Sequence, residues 1–565
     1  MQHKSSPQLY QQAVSYHQQG YLEQAILLYQ KLLYIEPTNA ELCRLLAMAM
    51  WQDNRIAQAL AQLHKAQAIE PDNALIWSNL GLIHQHQGYI EKALSCYQKS
   101  IVLQPSASVY SNLGIIYQQR NNSKQAIHYL QLAHQAAPTS IEIICNLIVS
   151  LRSNKNFEQA TVLCQQAIRL QPSSPRIHYE WAETLAAMYR WKEALQAAQK
   201  SLAFDNNYIL GLVSTARILH RLQQAEEAFD LLEKAILLAP QHAEAYEAFG
   251  SMLRQQNQIQ AAIATFTEGL RHSPSSIKLK LQLAISYDMS DRVAAARQLF
   301  EELISLEHVP NEQLIHCGHF FLKQGENQKA QQIYQHCLQR QPQDKEARHF
   351  LAICEQRSLA RMDRSYISQI FDDAALSFDN HLLQELAYQT PLKLHQLALE
   401  EGLAKLDRAL DLGCGTGLLG KLFRPHCEFL IGLDLSEQML KQAEKKQLYQ
   451  QLICADIIDY LPQHQQSFQL VIASDVLNYT GDLTPMMQLI YHSLQASGWW
   501  LFSTEHSQHE EFFLQNNGRF AHSDQHVMKT AKLAGFQLRR KSQVSLRQEF
   551  DVDVQGCLYL FEKLQ

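Results

Sequence analysis

The chain is predicted to be multidomain: an all-α repeat solenoid followed by an α/β domain built on a mostly parallel seven-stranded sheet. Three observations predict this. A proline rhythm of 34 residues runs over the first three fifths, strands and helices alternate after residue 365, and the glycine-rich stretch "ALDLGCGTGLLG" occupies residues 409–420. At 565 residues the chain is too long for a single core. Its composition is 46% hydrophobic and 18% charged, and a formal net charge of -6 gives no general basic field for gripping nucleic acid. The eleven cysteines include no CxxC pair, which fits reduced thiols in a cytoplasm. The amino terminus lacks the apolar segment of a secretory signal and no apolar run is long enough to cross a bilayer, so a cytoplasmic location is expected.

Within the repeat region, Pro37, Pro71, Pro105, Pro138, Pro172, Pro240, Pro274 and Pro342 follow one another at steps of 34, 34, 33, 34, 68, 34 and 68, with Asn206 and His308 at the two skipped positions. Ten units then fill residues 6–344. An alanine stands twelve positions before each site, from Ala25 to Ala330, and most units have a small residue twenty-four before it, as at Gly81, Gly114, Gly250 and Gly318. Small side chains at both places let two antiparallel helices approach closely while large neighbours such as Tyr97, Phe266 and Tyr334 fill the gap. The proline closes each second helix because it has no N–H to donate. This pattern resembles the tetratricopeptide (TPR) repeat. The resemblance implies a superhelical solenoid whose concave surface takes a protein client. Residues 345–364 are expected to form a capping helix and linker. Asn79, Asn112 and Asn146 hold the same place in three successive units. A row of amides can pair with the peptide groups of an extended client, similar to the asparagine ladder of the protein O-GlcNAc transferase family. The alternative is that these amides are merely solvated.

After residue 365, apolar runs at 408–412, 428–434, 451–454, 468–474 and 499–504 are predicted as strands, with helices starting at Leu418, Ser436, Thr484 and Asp524. Such alternation gives a parallel sheet covered on both faces. Two last strands, near 536–544 and 553–561, have no helix between them and should form an antiparallel edge. Ligands of an open sheet sit at the carboxyl ends of its strands, which puts the loop after the first strand at the ligand. Its glycines, Gly413, Gly415 and Gly417, are spaced GxGxG, whereas the dinucleotide fingerprint needs its third glycine where Leu418 stands. No GK[ST] follows, so the triphosphate loop fails as well.

Asp411 precedes this loop, and its carboxylate would repel a phosphate about 4 Å away by roughly 4 kcal/mol at an effective dielectric near 20. The same carboxylate would attract an ammonium group. A ligand with an amino-acid end, an adenosine end and no phosphate meets both requirements, and S-adenosyl-L-methionine is such a ligand. Asp434, at the end of the second strand, is placed to accept from the ribose hydroxyls. Asp456 is placed to accept from the adenine amino group, with Leu435 and Ile457 sandwiching the ring and with Ser474 and Asp475 under the methionine portion.

In order, the Asp411–Gly417 motif, Asp434, Asp456 and "LVIASDVLNYTGDL" resemble a class I S-adenosylmethionine-dependent methyltransferase over residues 365–565. The whole order resembles bacterial TPR-repeat proteins fused to such a domain. The resemblance implies a Rossmann-like methyltransferase domain and places Tyr366 and Phe371 over the cofactor as a lid, the alternative being that Phe371 and Phe378 are core anchors. Methyl transfer from a sulfonium depends mostly on positioning and exclusion of water, and a base is needed only when the acceptor must lose a proton. Tyr479, Glu505 and His506 lie near the strand ends, but no catalytic residue is assigned. Reactivity at Cys414 and a fit of its small side chain to the turn are equally compatible with its place in the loop. His506 with His509 and His522 with His526 tempt a metal reading, yet spacing fixes no third ligand and no metal is expected. The expected function is methylation of an acceptor recruited by the solenoid; the alternative is an interaction scaffold that binds the cofactor without transferring its methyl.

Overall fold

The computed structural model describes residues 6–564 other than 121, 307, 356–360, 376–377, 381, 383–385, 387, 509–510, 516 and 550–551. The chain divides into two compact units, Met1–Phe249 and Gly250–Gln565. In the first, helices pair in sequence from Ser6–Gln18 with Leu22–Ile35 to Ile209–Arg221 with Ala225–Leu238. The second continues with pairs such as Asn311–Lys323 and Asn327–Arg340, then the shorter Lys345–Cys354, before the α/β domain begins. The prolines fall where the periodicity requires. Glu36, Glu70 and Gln104 are the cap residues that end the second helices of their units, and Pro37, Pro71 and Pro105 follow directly.

All ten repeat alanines, from Ala25 to Ala330, are wholly buried. The glycines mark the closest helix approaches: a Cβ would lie 2.7 Å from the Tyr97 ring at Gly81, 2.5 Å from Leu130 at Gly114, 2.4 Å from Phe266 at Gly250 and 2.6 Å from Tyr334 at Gly318. These separations are well inside carbon contact distance, so only hydrogen fits. The sequence did not announce the turns within the units. Gly20, Asn54, Gly88, Lys155, Tyr189, Gln223, Asn257, Asp291 and Gly325 all take positive φ, yet only three of them are glycine. No helix among the described residues is long and apolar enough to cross a membrane.

The α/β domain comprises β1 (Leu406–Leu412), β2 (Cys427–Asp434), β3 (Gln451–Cys454), β4 (Phe468–Ala473), β5 (Leu494–Glu505), β6 (Phe512–Leu514), β7 (Phe520–His522), β8 (Phe536–Glu549) and β9 (Val552–Lys563). Seven strands form one sheet in the order β3-β2-β1-β4-β5-β9-β8. The first five run parallel, β9 is antiparallel to β5, and β8 is antiparallel to β9. Leu410, Ile431, Val471 and Ile472 are wholly buried, as strands covered on both faces require. The final two strands extend beyond the expected limits, and β9 lies inside the sheet with β8 at the edge. The small antiparallel pair β6–β7 was not foreseen because three-residue strands are too short to show an alternation. Strand order reverses between β1 and β4, and the crevice opens there.

Candidate functional site

A cavity of about 320 Å³ lies at this switch point. The loop after β1, the end of β2, the loop after β4 and the helix Arg364–Ala374 all contribute to its wall. Gly413, Gly415 and Gly417 have φ of 62, 54 and 90°, a left-handed run that bends the chain sharply out of β1. A Cβ at Gly413 would stand 2.5 Å from Val476 Cγ2. Gly413 and Gly415 line the cavity, whereas Gly417 does not and packs against Tyr449, where a Cβ would come to 3.1 Å from the ring.

Tyr449 has a second task, donating its hydroxyl to Asp411 Oδ2 at 2.7 Å. Asp411 is 1% exposed, and its Oδ1 is buried without a hydrogen-bond partner. Burial pushes its carboxyl up to about 7; the bond from Tyr449 opposes this and the Asp434 charge adds to it. Asp434 accepts the Gly415 N–H at Oδ2 and the Ser436 N–H at Oδ1, both at 2.8 Å. Burial lifts its carboxyl to about 6 against these bonds. Leu435, Ile457 and Ser474 also line the cavity, and the Ser474 hydroxyl pairs with Tyr388 Oη at 2.6 Å.

Asp456 is engaged by protein partners. Its carboxylate takes both Arg361 guanidinium nitrogens, at 3.0 and 2.8 Å, and caps the helix Ile457–Tyr460 through the Ile458 N–H at 3.1 Å. A bidentate guanidinium thus shares the oxygens expected to meet an adenine amino group, and Arg361 reaches the cavity wall whereas Asp456 does not line it. The two lid candidates separate as well. Phe371 lines the cavity beside Ile367 and Ile370 and packs edge-on to Tyr479 and Phe378, while Tyr366 stacks on His349 at 5.0 Å.

At the β4–β5 end, Asp475 takes φ 54° and accepts the Ser503 hydroxyl at 3.1 Å. Arg547 reaches Asp475 at 3.4 Å and donates to Glu505 Oε1 at 2.6 Å, and Gln515 donates to Glu505 Oε2 at 2.7 Å. Burial alone would raise the Glu505 carboxyl, but Arg547 and Arg519 hold it below the usual carboxylate range. Glu505 is therefore an ionised clamp on the arginines and not a poised base. Among the other base candidates, Tyr479 lines the cavity and His506 does not. His506, Asp524 and Cys557 bring potential ligand atoms within 4.8 Å of one another, but the Lys541 ammonium and the Tyr559 hydroxyl engage Asp524. His522 Nε2 bonds to the carbonyls of Thr480 and Gly481 at 2.8 and 3.0 Å, and His509 lies outside the described residues.

Tyr449, Tyr388, Arg361, Arg519 and Arg547 escaped sequence reasoning. Arg361 and Asp456 are 95 residues apart and Tyr388 and Ser474 are 86 apart, so no local motif links them. In the repeats, Asn79 keeps a buried amide nitrogen without a partner, Asn112 donates to Tyr97 Oη at 3.2 Å, and Asn146 accepts from Arg176 at 3.3 Å.

Residues 409–498 match the family described as methyltransferase domain, and residues 16–99, 72–139, 212–277 and 313–347 match families described as tetratricopeptide repeat. The malonyl-[acyl-carrier protein] O-methyltransferase of Hamiltonella defensa is 30% identical over 25% of this chain and 53% of its own length. Protein O-mannosyl-transferase TMTC1 of Homo sapiens is 25% identical over 33% of this chain and 21% of its own. The chain therefore spans about half of the first relative and about a fifth of the second. Among solved structures, the N-methyltransferase NodS of Bradyrhizobium japonicum in complex with S-adenosyl-L-homocysteine aligns at 20% identity over 31% of this chain and 86% of its own, with a TM-score of 0.26. The chain thus carries tetratricopeptide repeats followed by a methyltransferase domain, whose cofactor is S-adenosyl-L-methionine. The residues present fit that cofactor: Asp411 has a carboxylate oxygen without a partner, Gly413 and Gly415 line the cavity beside it, and Leu435 and Ile457 give apolar walls.

Proposed function

We propose that the chain methylates an acceptor at this cavity and that its repeats recruit a protein that is the acceptor or carries it. Asp411 is the observation that carries the reading. A carboxyl buried to 1% with one oxygen unpartnered is costly unless a donor arrives, and a cationic ammonium is the donor that gains most there. Bound S-adenosyl-L-methionine supplies an activated methyl on a sulfonium. Asp411 would hold the ammonium, the remaining lone pairs of Asp434 the ribose hydroxyls, and Leu435 with Ile457 the ring. Phe371, Ile367, Ile370 and Tyr479 would keep water out. With Glu505 committed to the arginines, the arrangement favours an acceptor that attacks with a lone pair already available.

Arg519, on the cavity wall with its side chain 33% exposed, favours one finer reading, a carboxylate acceptor. The malonyl-[acyl-carrier protein] O-methyltransferases among the relatives act, by name, on a malonyl group. Calorimetry with S-adenosyl-L-methionine and with NAD tests the cofactor, and labelled-methyl transfer to carboxylates and amines tests the acceptor. Heat with NAD and none with S-adenosyl-L-methionine would end the proposal.

A further inference from the structure

The last helix of the repeats, Lys345–Cys354, is buried on two sides. Phe350, 4% exposed, packs back into the repeats, with its ring centroid 4.2 Å from that of His319 and 5.8 Å from that of Tyr334. His349, also 4% exposed, turns the other way and stacks on Tyr366 at 5.0 Å and 29°. A terminal helix that only capped a solenoid would show water a polar outer face. Here that face meets the methyltransferase domain, and the Lys345 ammonium adds a bond to the Ser365 carbonyl at 3.0 Å.

Two walls of the cavity rest on this helix. Tyr366 belongs to an apolar cluster with Met362, Ile367 and Phe520, against which Ile370, Phe371, Leu435 and Tyr479 pack. Ile367, Ile370, Phe371, Leu435 and Tyr479 line the cavity, so a single packed layer separates His349 from the cofactor space. The β6–β7 turn also brings Gly518 so close that a Cβ would lie 3.2 Å from His349 Nε2 and 3.3 Å from Phe350 Cζ. Gly518 has φ 82° and its neighbour Arg519 is at the cavity wall. His349 therefore backs both the helix Arg364–Ala374 and the turn that delivers Arg519, and Phe350 backs the turn.

We infer that the last repeat helix is a positioning element of the methyl-transfer site, with His349 and Phe350 fixing two of its walls. This rests on reading the cavity as the cofactor site. A site is only as well placed as the groups behind it, and here those groups come from the repeat part of the chain. The last repeat helix is thus part of the enzyme's site and not only a tether for clients.

The test uses the full chain with His349→Ala and with His349→Phe, which restores a ring over Tyr366. Affinity for S-adenosyl-L-methionine is measured by calorimetry, together with Tm and amide hydrogen exchange. His349→Ala should weaken binding about tenfold, lower Tm and speed exchange over residues 364–374 and 517–522, and His349→Phe should restore affinity to within about twofold. Parental affinity in His349→Ala, or no recovery in His349→Phe, overturns the inference. If His349→Ala does not fold, Gly518→Ala takes its place, with the same weakening expected and parental affinity overturning the inference. Should the parent protein bind no S-adenosyl-L-methionine, the cofactor reading fails by itself. The exchange pattern then decides the inference: faster amides in His349→Ala that slow in His349→Phe support it, and unchanged ones overturn it.

Discussion

The two oxygens of Asp411 have unequal neighbours, one held by Tyr449 and the other with no partner, and several testable consequences follow from that asymmetry. Asp411→Asn removes the charge an ammonium would meet. A hydrogen bond to a charged group is worth about 1.5–3 kcal/mol, so calorimetry should show S-adenosyl-L-methionine binding weakened roughly tenfold to a hundredfold. Tm should hold or rise, because a buried charge has been removed; unchanged affinity would refute the ammonium role. The pH dependence has a definite sign. The carboxyl is raised to about 7 from its ordinary value of 3.8, so the folded protein binds a proton that the unfolded chain has lost. Its contribution to stability is fully present below the unfolded pKa and is lost as pH climbs through about 7. Ammonium binding needs the ionised form, so cofactor affinity should run the other way, rising up to tenfold per unit below about 7 and levelling off above it. Tyr449→Phe, which removes the stabilising donor, should move that break to higher pH. Titration of affinity against pH in both proteins checks the shift.

At the scale of elements, glycines at close approaches decide what can be changed. A Cβ at Gly420 would lie 2.3 Å from Tyr449 Cζ, so Gly420→Ala should displace the ring that holds Asp411. Overpacking of this kind costs about 1–3 kcal/mol, and here the loss should appear both as a lower Tm and as weaker cofactor binding. Gly250→Ala, aimed at Phe266 from 2.4 Å, should lower Tm by a similar amount and leave the cofactor affinity alone. The repeat helices were legible because a fixed period places small residues, large residues and prolines in register, as Ala262, Phe266 and Pro274 show. The parallel strands were legible because each is a short buried apolar run closed by a turn. What could not be read was pairing across long stretches of chain. Asp456 looked free for an adenine amino group because nothing nearby in sequence points to Arg361, and Tyr449 was silent because its partner lies across the β1 loop. The β6–β7 turn was missed for a related reason: Gly518 makes sense only once His349 and Phe350 are beside it.

For the whole molecule, the proposed function would put capture and transfer on one chain, and a short link between captured client and catalytic domain would give an effective concentration in the millimolar range. This predicts that the repeats before the last helix act on the acceptor's KM and leave cofactor affinity alone. The asparagine row gives the means to test it, but its members are not equivalent. Asn112 and Asn146 are engaged by Tyr97 and Arg176, whereas Asn79 has an amide nitrogen with no partner. Tyr97 would still donate to Gln85 at 2.9 Å without Asn112, so removing that amide disturbs the fold little. In the full chain, replacing all three asparagines by alanine should lower the yield of captured and methylated client while the affinity for S-adenosyl-L-methionine stays at its parental value. The loss should be about tenfold if the row makes two bonds of roughly 0.7 kcal/mol each to a client backbone. The measurement is mass spectrometry of proteins retained by each variant, scored for the mass of one added methyl, beside calorimetry of the same preparations. Equal retention by the triple variant and the parent would show that clients are held elsewhere on the repeats, and a fall in cofactor affinity would show that the substitutions had damaged the fold.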